Sequence, residues 1–557
     1  MTTEELLIPT EIGSPFSKGT SEWIKSSIVS QNLAEHACLP SLPLLQQARS
    51  HAVRNPHKVA IIDKTKNEEF TYSQLLIDVS ALACTIRKLL PSGHSAAEEP
   101  RVSFLVPPGY DYVLVQWAIW AAGAVCVPMC TTHPVKELLY TISDSDPSLI
   151  ILHPTYYKLK ASLQAQGSQI PVLSLNPAHP KSPCAHLPRF THSLPLSRRA
   201  LMIYTSGTTS RPKGCVTTHQ NITAQVQSLI EAWKYSSSDH LIHVLPLHHV
   251  HGIINGLTAT LYSGGTVEMY PKFDPKIVWD RWSEQSSTMF MAVPTVYSRL
   301  IDYFDSNIRA TDAEPAARAG ANFLRLLVSG SAALPLPIKR KFKEITGQDL
   351  VERYGMTEIG MGLSCGLEPE KRIDGSVGWP LPGVQVRLVE PDSGRVLDGV
   401  DEDGMIEIKG GNVFREYWRM PEVTVKQFSL DGWFQTGDIA KRDATGAYFI
   451  QGRASVDVIK SGGYKISALE VEQKLLGLPM ISEAVVVGVE DEEWGQRVAA
   501  IIKQKPNTSL LELKQMRTIL KEEMAPYKIP SILKVVDFIE RNAMGKVNKK
   551  EILSKYF

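Results

Sequence analysis

The stretch YTSGTTSRPKG, residues Tyr204–Gly214, decides how the rest of the chain is interpreted. It follows the apolar run ALMI and combines glycines and hydroxyl side chains with Lys213. Backbone N–H groups in a Gly-rich turn form a concave anion site, to which hydroxyls and an ammonium group add donors. The pattern predicts a polyphosphate-binding loop after a buried strand, with a solvated surface loop as the alternative. It differs from the P-loop motif because Pro212 precedes the lysine and Gly214 follows it.

Strand-like apolar runs alternate with amphipathic helix patterns on both sides of this loop. KVAIID (58–63) and RVSFLVP (101–107) are typical of buried strands, and SQLLIDVSALACTIRKLL (73–90) of a helix. The alternation predicts an α/β fold. Beyond residue 452, three further strand-like runs surround helices such as SLLELKQMRTILKEEM (509–524) and one that begins at the capping-box pattern SALE (467–470). We therefore expect an N-terminal extension at 1–40, a large domain at 41–452 and a small α+β domain at 453–557.

Composition excludes several classes of function. The 557 residues include 59 basic and 58 acidic side chains, so the net charge of +1 offers no general attraction to nucleic acid. Seven cysteines at irregular spacing, without a CxxC, indicate neither a zinc site nor a disulfide framework. The opening MTTEELLIPTEIG is not typical of a signal or transit peptide. We predict a cytoplasmic location, with a peroxisomal or mitochondrial one left open.

One apolar segment imitates a membrane span. Residues 112–130, YVLVQWAIWAAGAVCVPMC, are apolar except for Gln116. The segment is barely long enough to cross a bilayer and lacks basic flanks. We interpret it as a short buried helix and a strand ending at Pro128, separated at Gly123.

Several motifs together resemble one enzyme superfamily. YTSGTTSRPKG is similar to the phosphate-loop signature of adenylate-forming enzymes, which include acyl-CoA synthetases, luciferases and peptide-synthetase adenylation domains. ERYGMTE (352–358), FQTGDIA (434–440), QGRASVDVIKSGGYKIS (451–467) and RNAMGKVNKK (541–550) match further motifs in order. The resemblance implies a large N-terminal domain of stacked α/β sheets joined by a hinge to a small α+β C-terminal domain.

The resemblance also implies a reaction in two steps. A carboxylate attacks the α-phosphate of ATP to give an acyl-adenylate and pyrophosphate, and the thiol of coenzyme A then attacks the acyl carbon and releases AMP. Lys546 and Thr357 would contact the α-phosphate, Glu358 would hold Mg²⁺ as a hard oxygen ligand, and Tyr354 would stack on adenine. The other implied ATP and AMP contacts are Thr205, Ser206, Gly207, Thr208, Thr209, Lys213, Gly330, Ser331, Ala332, Glu352, Arg353 and Gly355.

The ribose and hinge motifs follow one another along the chain. Asp438 would accept both ribose hydroxyls, with Arg453 as an added donor. The hinge position is Ser455, where the superfamily usually has Asp or Lys, and a small residue there still allows two domain poses. Rotation of the small domain would withdraw Lys546 and present the coenzyme A contacts Lys460, Gly462 and Gly463.

The nature of the acid is inferred from two stretches, PLHHVHGIINGL (246–257) and AVPTVYSRL (292–300), which lie where the superfamily forms its acyl pocket. The histidines, including His249, are interpreted as pocket lining because no acid or cysteine lies near them in sequence. A guanidinium buried at Arg299 would require an anion, such as a second substrate carboxylate; the alternative is an arginine turned to solvent. VPTVYSR, RYGMTEIGM, GSVGWPLPGV and REYWRMPE resemble malonyl-CoA synthetases, which implies malonate or methylmalonate.

Three alternatives stay open at this level. The first is a CoA ligase for a fatty or aromatic acid. The second is a stand-alone adenylation enzyme that loads a carrier protein in trans, and the third is a non-catalytic nucleotide-binding sensor. The predicted partners are a small carboxylic acid, ATP and coenzyme A, with no nucleic acid and no membrane span, and the oligomeric state is left undetermined.

Overall fold

The computed structural model describes residues 38–91, 99–166, 168–175, 186–205, 211–391, 393–506, 508–541 and 547–557. Most of the predicted N-terminal extension, Lys546, and the loop residues Ser206, Gly207, Thr208 and Thr209 lie outside them. The described part begins with a short strand at Cys38, and the chain then alternates between strands and helices as the sequence predicts.

Strands in the described part fall into two domains. They are β1 Cys38–Ser41, β2 Val59–Asp63, β3 Glu68–Thr71, β4 Arg101–Leu105, β5 Val125–Pro128, β6 Leu149–Leu152, β7 Val172–Ser174, β8 Arg189–Ser193, β9 Arg199–Thr205, β10 Lys213–Thr218, β11 His240–His243, β12 Thr266–Met269, β13 Met289–Ala292, β14 Leu326–Ser329, β15 Val351–Met356, β16 Gly360–Ser364, β17 Trp379–Pro380, β18 Val384–Val389, β19 Val396–Leu397, β20 Gly404–Gly410, β21 Glu416–Tyr417, β22 Phe434–Arg442, β23 Tyr448–Arg453, β24 Val458–Ser461, β25 Tyr464–Ser467, β26 Ile481–Asp491, β27 Gly495–Gln504 and β28 Ile532–Val535.

The α-helices in the described part are mostly short. They are α1 Pro43–Arg54, α2 Tyr72–Leu89, α3 Tyr110–Ala121, α4 Val135–Ser145, α5 Tyr157–Ala165, α6 His219–Trp233, α7 Ala259–Tyr262, α8 Pro275–Ser283, α9 Pro294–Tyr303, α10 Glu314–Phe323, α11 Leu336–Thr346, α12 Pro421–Lys426, α13 Ala468–Leu476, α14 Leu513–Leu520 and α15 Lys549–Tyr556. Short 3₁₀ turns lie at Pro154–Tyr156, Pro369–Lys371 and Pro526–Lys528, and π-helical segments at His251–Thr258 and Phe304–Ile308.

Two large sheets and one smaller sheet form the framework of the large domain. The seven-stranded sheet has the order β21-β10-β9-β5-β4-β6-β7, and the nine-stranded sheet has the order β17-β16-β15-β14-β13-β11-β12-β2-β3. Their central strands are parallel, as the alternation of strands and helices requires. The third sheet is antiparallel and has the order β19-β18-β20-β22-β23.

One continuous hydrophobic core joins these sheets. It contains Val102 and Leu201 from the first sheet, Val267 and Val328 from the second, and Ile408 from the third, all buried. The core explains the segment that resembles a membrane span. Every residue of α3 is buried, and a helix surrounded by core is apolar on all sides. No helix in the described ranges is long and apolar enough to cross a membrane.

The small domain has its own sheet and core. After β23 the chain enters the sheet formed by β25-β24-β27-β26, to which β28 adds in parallel beside β27. The predicted capping box is half right. The Ser467 side chain accepts from the Glu470 amide at 3.2 Å. The Glu470 carboxylate, however, is held by Lys528 Nζ at 2.7 Å and does not return to the cap. The tertiary ion pair replaces the local bond.

Candidate active site

The predicted phosphate loop connects two adjacent antiparallel strands. Thr205 ends β9 and pairs with Lys213, the first residue of β10. The Thr205 hydroxyl donates to the Lys213 carbonyl at 3.5 Å. Thr205 and Lys213, both predicted to bind phosphate, are therefore neighbours at the base of the loop. Residues 206–210 between them lie outside the described ranges.

Lys213 contacts Tyr417, which in turn contacts the predicted magnesium ligand Glu358. Its ammonium group lies 4.6 Å from the centre of the Tyr417 ring, a cation–π distance. The Tyr417 hydroxyl donates to Glu358 Oε1 at 2.8 Å. Burial, and then the Glu358 charge, raise the pKa of Tyr417, so its hydroxyl keeps its proton. The pairing of β21 with β10 creates this arrangement.

The predicted ribose and adenine residues converge on one carboxylate. The Tyr354 hydroxyl donates to Asp438 Oδ2 at 2.5 Å, and Arg453 Nε lies 3.0 Å from Asp438 Oδ1. Asp438 and Arg453 are direct partners across β22 and β23, while Tyr354 arrives from β15. Three sheet strands thus place the phenol, the carboxylate and the guanidinium together.

Glu352 and Gly355 have mainly structural partners in the same strand. Lys339 Nζ lies 3.2 Å from Glu352 Oε1 within the domain. Burial raises the pKa of Glu352 to about 7, and the Lys339 ammonium opposes that rise. A Cβ atom on Gly355 would lie 2.1 Å from the Gly360 carbonyl oxygen. The absence of a side chain there allows the tight hairpin that presents Thr357 and Glu358.

A buried guanidinium lies behind the predicted adenine wall. Arg353 Nη2 donates to Ser331 Oγ at 2.9 Å, and that hydroxyl lies 3.2 Å from His251 Nδ1. Arg353 is 5% exposed, and its Nε has no hydrogen-bond partner among the described residues. Burial lowers the pKa of Arg353 to about 9, so it is charged at neutral pH. A Cβ on Gly330 would lie 2.3 Å from this Nε.

Arg299 is exposed, whereas its predicted role as a substrate contact depended on a buried guanidinium. It is exposed on α9, and its guanidinium lies 4.9 Å from the Phe273 ring centre. The premise that Arg299 is buried is therefore wrong, because the side chain sits at the solvent-facing side of the helix. His249 is half-buried, and its ring centre lies 4.0 Å from that of His248. Ala332, after Ser331, is exposed.

The turn at 454–457 connects the two domains. Ser455 is exposed within it. The Arg453 amide donates to Asp457 Oδ2 at 3.0 Å, and Lys549 Nζ lies 2.5 Å from Asp457 Oδ1. Lys549 also lies 2.7 Å from Glu472 Oε1. Lys549, at the start of α15, is thus anchored to the domain junction.

The predicted coenzyme A contacts form a hairpin tip. Gly462 and Gly463 join β24 to β25 with φ angles of +55° and +82°, which favour glycine. A Cβ on Gly462 would lie 2.9 Å from the Trp494 ring. Lys460 is exposed beside the turn, and the exposed Tyr464 stacks on Tyr527 with ring centres 4.1 Å apart. Aromatic surface therefore flanks the two glycines.

Comparison with known proteins agrees with this architecture. Residues 48–418 match the AMP-binding enzyme family, and residues 470–546 match the AMP-binding enzyme C-terminal domain. The chain belongs to the AMP-binding enzyme family. A malonate–CoA ligase from Homo sapiens, named as mitochondrial, is 42% identical to this chain, and the match covers 90% of each chain. The Xenopus laevis protein of the same name is 40% identical, and that match covers 96% of this chain and 97% of the relative. ATP-bound MatB from Rhodopseudomonas palustris is 31% identical with a TM-score of 0.81, covering 92% and 98% of the two chains.

Sequence reasoning gave one residue of this AMP-binding enzyme no role, and it did not reveal the contacts of another. Tyr417 lies within the REYWRMPE stretch but received no role, and its pairing with Glu358 depends on strand order. The resemblance places Arg353 among the nucleotide contacts, and in the structure its guanidinium donates to Ser331, whose hydroxyl lies beside His251. The signal for Arg353 is a charged residue in a short strand whose first three residues are buried, which predicts a polar partner.

Proposed function

We propose that this AMP-binding enzyme joins malonate to coenzyme A at the expense of ATP. A malonate carboxylate oxygen attacks the α-phosphorus of ATP, and pyrophosphate leaves. The sulfur of coenzyme A then attacks the acyl carbon, its proton is lost, and AMP leaves with both electrons of the broken C–O bond. The names of the relatives support this substrate, and the observation that carries the proposal is the buried Arg353.

A buried guanidinium without an anion is costly, because its hydration is lost without a compensating charge. In the described part of the chain Arg353 has Ser331 as its polar partner and no ion pair. A second substrate carboxylate would pair with the free Nε edge through charge-assisted hydrogen bonds. We propose Arg353 as the main contact of the distal malonate carboxylate, with Arg299 and His249 at the pocket entrance.

Nucleotide binding in this proposal uses charge and hydrogen bonding from all three sheets of the large domain. Thr205 and Lys213, together with Ser206, Gly207, Thr208 and Thr209, would hold the triphosphate. Asp438, with Arg453 and Tyr354, would hold the ribose and adenine. Binding at Asp438 would require the Tyr354 hydroxyl to share or release its bond to Oδ2.

Glu358 fits the proposed role of magnesium ligand. Its Oε1 accepts from Tyr417, and within the described ranges no group is seen to donate to Oε2, which leaves one hard oxygen for a cation. Bound Mg²⁺ would neutralise phosphate charge as the pyrophosphate departs. Lys213 and Tyr417 would hold Glu358 in position, because Lys213 contacts the Tyr417 ring and the Tyr417 hydroxyl donates to Glu358.

Domain rotation would separate the two steps. We propose that the small domain, 453–557, first places Lys546 at the α-phosphate and then turns about Ser455 to present Lys460, Gly462 and Gly463 to the pantetheine arm. The exposed Trp494 supports this, because it lies against Gly462 and offers a ring for the coenzyme A chain.

The test is a panel of acids with ATP, Mg²⁺ and coenzyme A, read by pyrophosphate release. Malonate is expected to give the highest kcat/KM, with methylmalonate second and acetate, fatty and aromatic acids far lower. Turnover of a fatty or aromatic acid above that of malonate contradicts the proposal. Adenylate formation without thioester formation would instead favour a carrier protein as acceptor, and no pyrophosphate release with any acid would favour a nucleotide sensor.

The arginine variant tests the observation on which the proposal depends. Arg353→Met is expected to lower kcat/KM for malonate by on the order of a hundredfold or more, since truncating one partner of a buried charge pair costs about 2–5 kcal/mol. Thermal stability should be unchanged or higher, because an unpaired buried charge is removed. Arg340→Met, at an exposed arginine, is the control. Unchanged malonate kinetics in Arg353→Met would remove the dicarboxylate argument.

A further inference from the structure

Three potential metal ligands from separate parts of the large domain converge, and none of them is among the residues proposed to bind nucleotide. Cys130 follows β5, His133 precedes α4, and His248 lies between β11 and the π-helical segment. One ligand atom from each residue lies within 4.8 Å of the other two. The ring centres of His133 and His248 are 5.8 Å apart. Cys130 is more than a hundred positions from His248 along the chain, and it is the folding of the domain that brings the thiol beside this histidine.

We propose that Cys130, His133 and His248 form a zinc-binding site with one thiolate and two imidazole ligands. This donor set suits zinc, which accepts sulfur and nitrogen in a tetrahedron. Magnesium and calcium prefer oxygen ligands, so the site would differ in chemistry from the carboxylate site at Glu358. Three protein ligands leave the fourth position for water or another small ligand.

Surrounding side chains hold the cluster in an orientation suited to metal binding. Glu137 Oε2 lies 3.2 Å from His133 Nδ1, which leaves Nε2 of that ring to face a metal. Carboxylates commonly orient metal-binding histidines in this way. The Thr132 hydroxyl lies 3.2 Å from Cys130 Sγ. Both contacts fix ligand positions before any ion arrives.

Two of the three ligand atoms are also buried, and one of these has no hydrogen-bond partner in the described part of the chain. Cys130 is 4% exposed, and the buried Nε2 of His248 has no hydrogen-bond partner among the described residues. A buried polar atom without a partner is costly unless something binds it. A metal ion bound among these three side chains would give this nitrogen a partner.

The position of the site connects it to the acyl pocket. His248 immediately precedes His249, whose ring it contacts, and the same segment leads into the π-helix that carries His251. A metal bridging His248 to Cys130 would tie this segment to the end of β5. The proposal is nevertheless independent of the acid substrate, because zinc binding can be measured without turnover.

Zinc chloride is the probe, titrated into untagged, chelator-treated full-length protein against a chromophoric competitor. One equivalent is expected to bind to the wild type. Cys130→Ser and His248→Ala should each remove this binding. Glu137→Gln should weaken it by about tenfold to a hundredfold, as expected for a residue that orients a ligand. Cys84→Ser, at a half-buried free thiol elsewhere, should leave it unchanged.

Cobalt(II) substitution gives a second readout that requires only folded wild-type protein. A thiolate-to-cobalt charge-transfer band is expected in the wild type and in Cys84→Ser, and it should be absent from Cys130→Ser. Circular dichroism checks that each variant is folded. Absence of a stoichiometric zinc equivalent and of the cobalt band in the wild type would overturn the proposal, as would full zinc binding by a folded Cys130→Ser.

Discussion

Lys549 Nζ lies 2.5 Å from Asp457 Oδ1, which joins the beginning of the last helix to the turn between the domains. Asp457 uses its other oxygen to accept from the Arg453 amide at 3.0 Å. Glu472 Oε1 is the second partner of the Lys549 ammonium, at 2.7 Å. The small domain and its connection to the large domain therefore share one ion cluster.

Lys549→Met should destabilise the small domain. Removing the ammonium leaves two carboxylates close together and poorly hydrated, and breaking a buried ion pair costs about 3–5 kcal/mol. A lower unfolding temperature and increased proteolysis after residue 453 are expected. Lys550→Met changes the adjacent exposed lysine and should have neither effect. Equal stability of the two variants would show that the cluster is not structural.

Lys546→Ala should separate the two steps of the proposed reaction. Loss of a cation at the α-phosphate should slow adenylate formation by on the order of a hundredfold or more. Conversion of a supplied malonyl-adenylate to malonyl-CoA should continue near the wild-type rate, because the small domain then presents a different face. Single-turnover assays of each half measure this, with Lys550→Ala as the control. Equal loss in both halves contradicts the model of two poses.

Tyr417→Phe should raise the magnesium concentration needed for half-maximal activity. The variant keeps the ring beside Lys213 but loses the bond to Glu358, and a net loss of about 1 kcal/mol of stability is expected. Tyr270→Phe is the control, because it removes a similar buried hydrogen bond, from the Tyr270 hydroxyl to Glu268 Oε1 at 2.6 Å. Tyr270 is distant in sequence from Tyr417 and Glu358. It should lose comparable stability without a change in magnesium dependence. Identical magnesium titrations of the two variants would exclude a role for Tyr417 at the metal.

Gly330→Ala should disturb malonate use through Arg353. The added methyl would lie 2.3 Å from Arg353 Nε, so the guanidinium must move. We expect the KM for malonate to rise about tenfold or more and the KM for ATP to change little. A loss of about 1–2 kcal/mol of binding free energy weakens affinity by roughly tenfold. Gly362→Ala, whose methyl would be 3.3 Å from its nearest neighbour, is the control. An unchanged malonate KM would show that Arg353 is not a substrate contact.

Acid should destabilise the large domain through buried neutral histidines. Burial lowers the pKa values of His219 and His243 to about 4, whereas an unfolded histidine titrates near 6.5. Below pH 6.5 the unfolded chain binds more protons, so stability falls as pH decreases towards 4. Each histidine should cost about 2 kcal/mol between pH 6.5 and 5. Thermal unfolding of His219→Gln should depend less on pH than that of the exposed-site control His192→Gln; equal dependence would contradict this assignment.

Local sequence patterns predicted the elements well where the determining forces are local. KVAIID and RVSFLVP contain β2 and β4, and the helix pattern at 73–90 overlaps α2, which begins at Tyr72 after its cap Thr71. The membrane-like segment divides at Gly123, with φ of +78°, into α3 and β5. The pattern at 509–524 overestimates its helix, because α14 includes only Leu513–Leu520. End positions depend on packing as well as periodicity.

The sequence by itself determined the family, the order of the motifs and the alternation of strands and helices, because apolar spacing and glycine-rich turns act over a few residues. Tertiary structure decided which side chains share an environment. It buried Arg353 and exposed Arg299, placed Tyr417 between Lys213 and Glu358, and brought Cys130 to His248. These outcomes follow from which strands are neighbours in a sheet and which segments meet at its edge, and no local pattern encodes them.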